Sequence, residues 1–170
     1  MITLHANGTI EGINNANYNS SLPAGHVIQT VYAHSATAES VAYNGTLSLT
    51  ASITPSSTSN NVLVMVTLGL ISADSAADTG WNILRDGTAL QQGSGGTTNA
   101  TTGAFTNAGG SYAHAPSLVM LDDEISTTSS VTYTLQGKTS SASYPLYLNR
   151  TVATSGPMAQ TTLTLMEITQ

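Results

Sequence analysis

The sequence predicts an all-β domain, and three observations lead to this prediction. Only 7% of the residues are charged, against roughly 25% in an ordinary globular domain. The chain has 27 Thr and 21 Ser but only 3 Lys and Arg, so it is rich in residues that suit pleated sheets and poor in straight-chain helix formers. From residue 26 onward, short apolar runs alternate with turn clusters, as in a β-sandwich. The length of 170 residues fits one hydrophobic core.

The first 24 residues are predicted to form an arm outside this core. They contain one short extended candidate at residues 2–4, an Asn-Gly turn signal, and an Asn-rich stretch that leads to Pro23. Their few large apolar side chains cannot offset the ordering cost of the backbone. Such arms are commonly disordered tails, or they gain order when a partner supplies the missing surface. The candidates for that contact are Ile2, Leu4, Ile10 and Ile13.

Residues 25–170 are predicted to form one domain of about eight strands. Strict alternation from Leu47 to Ile53 indicates one dry and one wet face, whereas residues 62–66 are apolar on both faces and predict a central strand. Asp86-Gly87 between two apolar runs predicts a hairpin with a type I′ turn, in which both central residues have φ > 0. This number of strands favours a jelly-roll sandwich. The predicted strands are residues 26–33, 46–54, 62–72, 81–85, 88–92, 117–121, 131–137, 145–149 and 161–168.

The last predicted strand and one long loop supply candidate contact residues. In residues 161–168, Leu163 and Leu165 lie on one face and Met166 and Ile168 on the other, so one face can serve the core and the other needs a neighbour. The stretch 93–115 is rich in Gly and Thr, and only a weak strand near residue 105 could shorten it. Loops of this length without secondary structure are usually functional or disordered. Its aromatic residues, Phe105 and Tyr112, are candidate stacking surfaces for a host-surface glycan.

Composition and missing motifs argue against several functions. With 9 Asp and Glu and a net charge of -6, the chain lacks the basic footprint of a nucleic-acid-binding protein. It has no Cys, so disulfides and thiolate chemistry are excluded. We expect neither a signal peptide nor a membrane span, because no basic leader and no long apolar run occurs. No catalytic motif is found, and the four His occur singly, without metal-ligand spacing. The sequence predicts no enzyme and no cofactor.

Two further features each have two interpretations. The cluster Asp122-Asp123-Glu124 could contribute to a Ca²⁺ site, but a dedicated site needs six to eight oxygens, and acids at a strand end are more often solvated. The lone Trp81 could face a sugar, but a Trp that opens a strand is more often part of the core. Because the cations are so few, Arg85, Lys138 and Arg150 are each expected to pair with a specific acid or carbonyl.

Several strings resemble a family of tailed-bacteriophage virion proteins found in phages of cyanobacteria and marine bacteria. They are Gly25-His26-Val27-Ile28-Gln29-Thr30-Val31, the segment from Leu47 to Val64 that contains Ile53-Thr54-Pro55-Ser56-Ser57, then Leu84-Arg85-Asp86-Gly87-Thr88, Val131-Thr132-Tyr133, Tyr147-Leu148-Asn149-Arg150, and Leu163-Thr164-Leu165-Met166-Glu167-Ile168. The match runs in order over residues 25–168. It departs in the arm and in the loop 93–115.

The resemblance implies a jelly-roll domain that assembles as a trimer on a particle, without catalytic residues. We therefore expect a capsid decoration, or cement, protein on the head exterior, with Met166 and Ile168 at the trimer interface and the arm on the major capsid protein. Its expected location is the virion, after synthesis in the host cytoplasm. The alternative is a tail-fibre or receptor-binding tip that recognises host-surface glycans. An enzyme on the same fold would need a pair of carboxylates at a catalytic separation, and the sequence offers no convincing pair.

Overall fold

The chain folds as strands in a computed structural model that describes residues 3–4, 10–11, 22–42, 45–73, 79–90, 103–105, 113–139, 143–151, 156–157 and 159–170. These residues form antiparallel sheets and no helix, which confirms the all-β prediction. In this part of the chain there is accordingly no helix that could cross a membrane. The strands are β1 (Thr3–Leu4), β2 (Ile10–Glu11), β3 (Val27–Ser35), β4 (Glu39–Val41), β5 (Thr46–Ile53), β6 (Asn61–Thr67), β7 (Ile71–Ala73), β8 (Thr79–Arg85), β9 (Thr88–Ala89), β10 (Gly103–Phe105), β11 (Ala113–His114), β12 (Ser117–Asp122), β13 (Val131–Thr139), β14 (Leu146–Leu148) and β15 (Thr161–Ile168).

Two large sheets contain the eight strands that build the body of the domain. The first sheet has the order β12-β6-β15-β3, and the second has the order β10-β8-β13-β5, with β9 paired to β8. A third sheet of short strands has the order β11-β7-β14-β4, and β1 pairs with β2. Consecutive strands of the body mostly lie in different sheets, so the connections cross between the sheets.

The hydrophobic core lies between the inner faces of the two large sheets. The first sheet contributes alternate residues of β6 and β15, and the second contributes the buried faces of β5, β8 and β13. Each large apolar side chain buried in this way stabilises the fold by roughly 1.5–3 kcal/mol. Trp81 is fully buried and belongs to this core, as the structural interpretation predicted. The largest buried apolar side chains are Trp81, Tyr133, Ile53, Leu68, Ile71, Ile83, Leu135, Leu146, Leu148, Leu163 and Leu165.

The predicted hairpin and the predicted central strand are both confirmed. Asp86 has φ 47° and Gly87 has φ 84°, so both central residues of the turn between β8 and β9 adopt the positive φ that a type I′ turn requires. β6 lies between β12 and β15, where both of its edges are paired.

The prediction of one strand over residues 62–72 is wrong at its second half. The chain leaves the first sheet after Thr67 and resumes as β7 in the third sheet. The break occurs because the backbone groups between the two strands bond elsewhere. Leu68 N donates to Pro116 O at 2.9 Å, and Gly69 N donates to the Thr161 hydroxyl at 2.9 Å. Apolar periodicity alone does not reveal this change of sheet.

Candidate interaction surface

The outer faces of the two large sheets differ in chemistry. On the second sheet, the outward residues of β5 and β13 are polar, and the hydroxyls of Ser52 and Thr132 lie 2.8 Å apart. Hydroxyl and amide groups are well solvated, so this face needs no protein partner. The outward residues are Thr46, Ser48, Thr50 and Ser52 of β5 and Thr132, Thr134, Gln136 and Lys138 of β13.

The outer face of the first sheet, which we call the apolar face, carries no charged side chain. Its residues are all described, and none of them is Asp, Glu, Lys or Arg. Because the side-chain period of a strand is two, the apolar face is set by alternate residues of the four strands. They are Val27, Thr30, Tyr32 and His34 of β3, Thr162, Thr164, Met166 and Ile168 of β15, Asn61, Leu63, Met65 and Thr67 of β6, and Ser117, Val119 and Leu121 of β12.

The strand register aligns the larger side chains of this face in rows. Leu63 is opposite Leu121 on one side and Met166 on the other. Met65 is opposite Val119 on one side and Thr164 on the other. Directly opposite Cβ atoms in a sheet are about 4.5–5.5 Å apart, so these side chains contact one another and form a continuous apolar strip.

The flanks of the apolar face are more exposed than its centre. Val119 on β12 is 62% exposed, and Tyr32 and Val27 on β3 are 57% and 50% exposed. Met166 and Ile168 of β15, between those flanks, are half-buried. Of the six large hydrophobic residues exposed in the described part of the chain, five lie on this face. A contiguous apolar patch of this kind marks an interaction site in soluble proteins.

The predicted interface residues Met166 and Ile168 both lie on the apolar face, opposite the buried Leu163 and Leu165. Their role between copies stays a prediction. The sequence interpretation did not single out Val119, Tyr32 or the other exposed members of this face. The available signal was the run 62–66, which was correctly interpreted as apolar on both faces.

The other predicted contact residues are only partly within the described chain. Leu4 of β1 is opposite Ile10 of β2, so the two short segments of the arm pair with each other. Ile2, Ile13 and Tyr112 lie outside the described residues. Phe105 ends β10, where it is opposite Thr79 of β8, and most of the loop 93–115 lies outside the described residues as well.

A buried carboxylate lies behind the apolar face, and sequence analysis missed it. Glu167 has no exposed surface, and no cation lies within ion-pair distance among the described residues. Its Oε1 accepts hydrogen bonds from Ser56 N at 2.7 Å, the Ser56 hydroxyl at 2.8 Å and Asn60 Nδ2 at 2.6 Å, and its Oε2 accepts one from Gln29 Nε2 at 2.5 Å. Burial alone would raise the pKa of Glu167, but these hydrogen bonds together outweigh burial and hold the pKa below its usual value.

The predicted acidic cluster is divided by the fold. Asp122 is 2% exposed, and its carboxylate is shared by Arg85 Nη1 and the Tyr133 hydroxyl, each 2.7 Å away. Burial, and then the hydrogen bond to Asp122, raise the pKa of Tyr133 well above its usual value. Asp123 and Glu124 are exposed beside a pocket of about 170 Å³. Within the described residues, no three His, Asp or Glu side chains are grouped to hold a metal ion.

Thr169 joins the two ends of the domain body. Its hydroxyl donates to Pro23 O at 2.6 Å and accepts from His26 N at 3.0 Å. Its backbone N donates to His26 O at 2.9 Å, and its carbonyl accepts from Gly25 N at 2.8 Å. We call this set of four bonds the Thr169 clamp. The clamp fixes the point at which the arm leaves the sandwich, next to Val27 and Ile168 of the apolar face.

Asn149 organises the opposite end of the sandwich. It is fully buried with φ 58°, and its Nδ2 donates to Ser35 O and Thr37 O, each at 3.0 Å. Its Oδ1 accepts from the Thr161 hydroxyl at 2.9 Å. The Arg150 guanidinium carbon lies 4.6 Å from the centre of the Tyr147 ring, and its Nε donates to Thr151 O at 3.2 Å. The buried polar groups of Asn149 and Thr161 are therefore satisfied by structural contacts.

The described polar clusters thus satisfy one another within the fold. Among the buried side-chain polar atoms of the described residues, Trp81 Nε1 has no hydrogen-bond partner. The apolar face is the exposed feature that the fold leaves uncovered. No family model and no curated protein matches the chain.

Proposed function

We propose that this protein is a structural component of a bacteriophage virion, a homotrimer that decorates the exterior of the head and catalyses no reaction. The single observation that carries the proposal is the apolar face. A chain with only 7% charged residues would be expected to keep an outward sheet face polar, as the second sheet does. An uncharged apolar face that is exposed in one copy is instead suited to contact another copy.

The strand order supports a jelly roll. When the eight body strands are numbered along the chain, the first sheet contains strands 6-3-8-1 and the second contains strands 5-4-7-2. Two sheets in which every strand pairs antiparallel and neighbours come from distant parts of the sequence are what two interleaved Greek keys produce. The β8–β9 hairpin and the third sheet are additions to this plan.

The apolar face can serve a ring of copies, because it reaches both flanks of the first sheet. In a cyclic trimer each copy contacts its neighbours through two different patches, one on each flank. The apolar face offers two such patches, Val119 with Leu121 on β12 and Tyr32 with Val27 on β3. Between them, Met166 and Ile168 would be directed toward the symmetry axis. A two-fold dimer would need only one self-complementary patch.

Attachment to a particle is supported by the sequence resemblance and by the arm. Ile2, Leu4, Ile10 and Ile13 are the arm residues proposed to contact the major capsid protein. Main-chain hydrogen bonds from an added strand can supply affinity in such contacts. The alternative function, a tip that binds host glycans, depends on Phe105 and Tyr112 in the loop 93–115 and has no further structural support.

Two measurements test the proposal. Multi-angle light scattering on the purified chain should give the mass of a trimer at micromolar concentration, and a monomer would overturn it. Electron microscopy of virions of the encoding phage should place the trimer on the head surface. Density at the tail tip, together with saccharide binding by the isolated trimer, would favour the glycan-binding alternative instead.

A further inference from the structure

The Thr169 clamp fixes where both ends of the domain body lie. Residues 23–26 are bonded to Thr169 through two backbone and two side-chain hydrogen bonds between 2.6 and 3.0 Å long. The first strand of the body, β3, and the last, β15, then pair along their whole length. A chain segment that enters at Pro23 and one that leaves at Thr169 therefore share one end of the sandwich.

The same end collects several connections of the body. Ile53 pairs with Val131, Asp122 pairs with Val62, and Tyr133 pairs with Arg85, so the β5–β6 loop, the β12–β13 loop and the turn at Asp86 lie at the same end of the sandwich as the clamp. We call this the arm end. The far end carries residues 36–38, 68–70 and 149–151, and the connection from Asn149 to Thr161 begins and ends there. The arm end and the far end are separated by the length of β15, which at about 3.4 Å per residue is roughly 25 Å.

We propose that the arm end of the sandwich is the surface that faces the particle, and that the far end is displayed outward. This inference rests on the proposed function. In a cyclic trimer all copies point the same way, so three arms leave from one end. Because the clamp lies next to Val27 and Ile168 of the apolar face, the three arms also start near the contacts between copies. Arms that bind a surface from this position draw the arm end toward it.

The charge of the arm end indicates what kind of surface fits it. Asp86, Asp123 and Glu124 are exposed there, while Arg85 is paired with Asp122. The described Lys138 and Arg150 lie toward the far end. The partner surface is therefore a protein surface of net positive charge, since like charges across an interface are strongly unfavourable.

Two single-cysteine variants test the orientation, because the natural chain has no Cys. Ser129→Cys places a thiol in the exposed β12–β13 loop at the arm end. Gly156→Cys places one in the connection from Asn149 to Thr161, whose two ends meet at the far end; a Cβ there meets no atom of the described residues within 4 Å. Labelling with a bulky maleimide is measured on free trimers and on virions that carry the variants. Because the label is bulky, the labelled chain forms a separate band on a gel, and the growth of this band gives the labelling rate.

In free trimers both thiols should react at similar rates. On virions the rate at position 129 should fall at least tenfold and the rate at position 156 should stay unchanged. Equal rates at the two positions, or protection of position 156 alone, would overturn the orientation. Virions without the chain, or a monomer in solution, would instead overturn the proposed function, so the two failures are distinguishable.

Salt dependence tests the charge of the partner. Raising NaCl from about 0.1 M to about 1 M shortens the Debye length from about 10 Å to about 3 Å. The rate at which trimers bind particles that lack them should fall severalfold, because long-range attraction between opposite charges is screened. A rate that does not change with salt would overturn the assignment of a basic partner surface.

Discussion

Glu167 and Asn60 are 107 residues apart in sequence, and Asn60 Nδ2 donates a hydrogen bond of 2.6 Å to the buried Glu167 Oε1. Ser56 adds two bonds to the same oxygen, and Gln29 bonds the other oxygen. A buried carboxylate without a cation would ordinarily be protonated, because desolvation penalises the charge. Here four hydrogen bonds from neutral donors replace the hydrogen bonds that water would make to the carboxylate. Those from Ser56 and Asn60 also hold the β5–β6 loop against β15.

Replacing Glu167 by Gln should lower the free energy of unfolding by about 2 to 3 kcal/mol at pH 7, the cost of losing charge-assisted bonds and leaving a buried donor unpaired. Gln29 Nε2 already donates to both Glu167 Oε2 and Thr54 O, so it cannot turn to accept from a new amide without losing Thr54. Urea denaturation measures the change. Glu124→Gln, at an exposed acid, is the control and should change stability by less than about 0.5 kcal/mol.

The same residue predicts part of the acid sensitivity of the fold. Because the pKa of Glu167 is lower in the folded chain than its usual value, the stabilisation by its charge is complete above the unfolded pKa of about 4.3 and is lost as the pH falls through the folded pKa. The stability difference between the natural chain and Glu167→Gln should therefore shrink below about pH 4. A difference that stays constant from neutral to acidic pH would show that the charge is not the source.

Gly69→Ala should be severely destabilising, by more than about 2 kcal/mol. A Cβ at this position would collide with Asn149 Oδ1 and would lie 3.0 Å from the backbone of Gln160. Asn149 cannot move aside without breaking its bonds to Ser35 and Thr37. The control is Gly156→Ala, where an added Cβ meets no atom of the described residues within 4 Å, and its melting temperature should not change. Similar melting temperatures for both variants would contradict the role of Gly69.

Gly87→Val should cost roughly 1 to 2 kcal/mol, because a β-branched residue is strained at positive φ. The observed φ of 84° and the open space around Gly87 mean that backbone strain, not a collision, is the cause. Gly87→Asn is the matched variant and should retain most of the stability, since Asn tolerates this region. Equal losses for Val and Asn would point to a cause other than φ.

The sequence predicted local features well and long-range polar contacts poorly. The alternation in β5, the turn at Gly87 and the doubly apolar β6 are each encoded within a few residues. Glu167 shows the limit: it shares a strand face with Leu163 and Leu165, which was a readable signal that it is buried. Its partners come from distant segments, however, and only the assembled sheets bring them together.

The apolar face was predictable only in part, because it too depends on segments that are distant in sequence. Met166 and Ile168 could be assigned to the face of β15 opposite Leu163 and Leu165 because side chains two residues apart share one face of a strand. Val119 and Tyr32 join them only through the order in which β12 and β3 flank the sheet, and strand order follows from the whole chain. Local periodicity predicts which residues share a face of one strand, not which strands lie side by side.

Charge on the apolar face should separate assembly from folding. Val119→Asp replaces a side chain that is 62% exposed in one copy, so the fold should survive while the trimer dissociates, because a carboxylate would be buried between copies. Ile168→Asp should also weaken the trimer, with some loss of fold since Ile168 is half-buried. Ser52→Asp, on the polar outer face of the second sheet, is the control. Light scattering measures assembly, and circular dichroism measures folding. Trimers that persist with Val119→Asp would exclude the apolar face as the interface.

Removal of the arm should abolish attachment and spare assembly. A chain that begins at Leu22 retains the Thr169 clamp, including the bond from the Thr169 hydroxyl to Pro23 O, so β3 and β15 should pair as before and the trimer should form. Three weak arm contacts on one trimer reinforce each other through effective concentration, so their loss should cost far more affinity than one contact provides. Co-sedimentation with particles that lack the protein measures this, with the full chain as the reference. Equal binding by the two chains would show that the sandwich itself makes the attachment, and it would leave residues 1–21 without a role in binding.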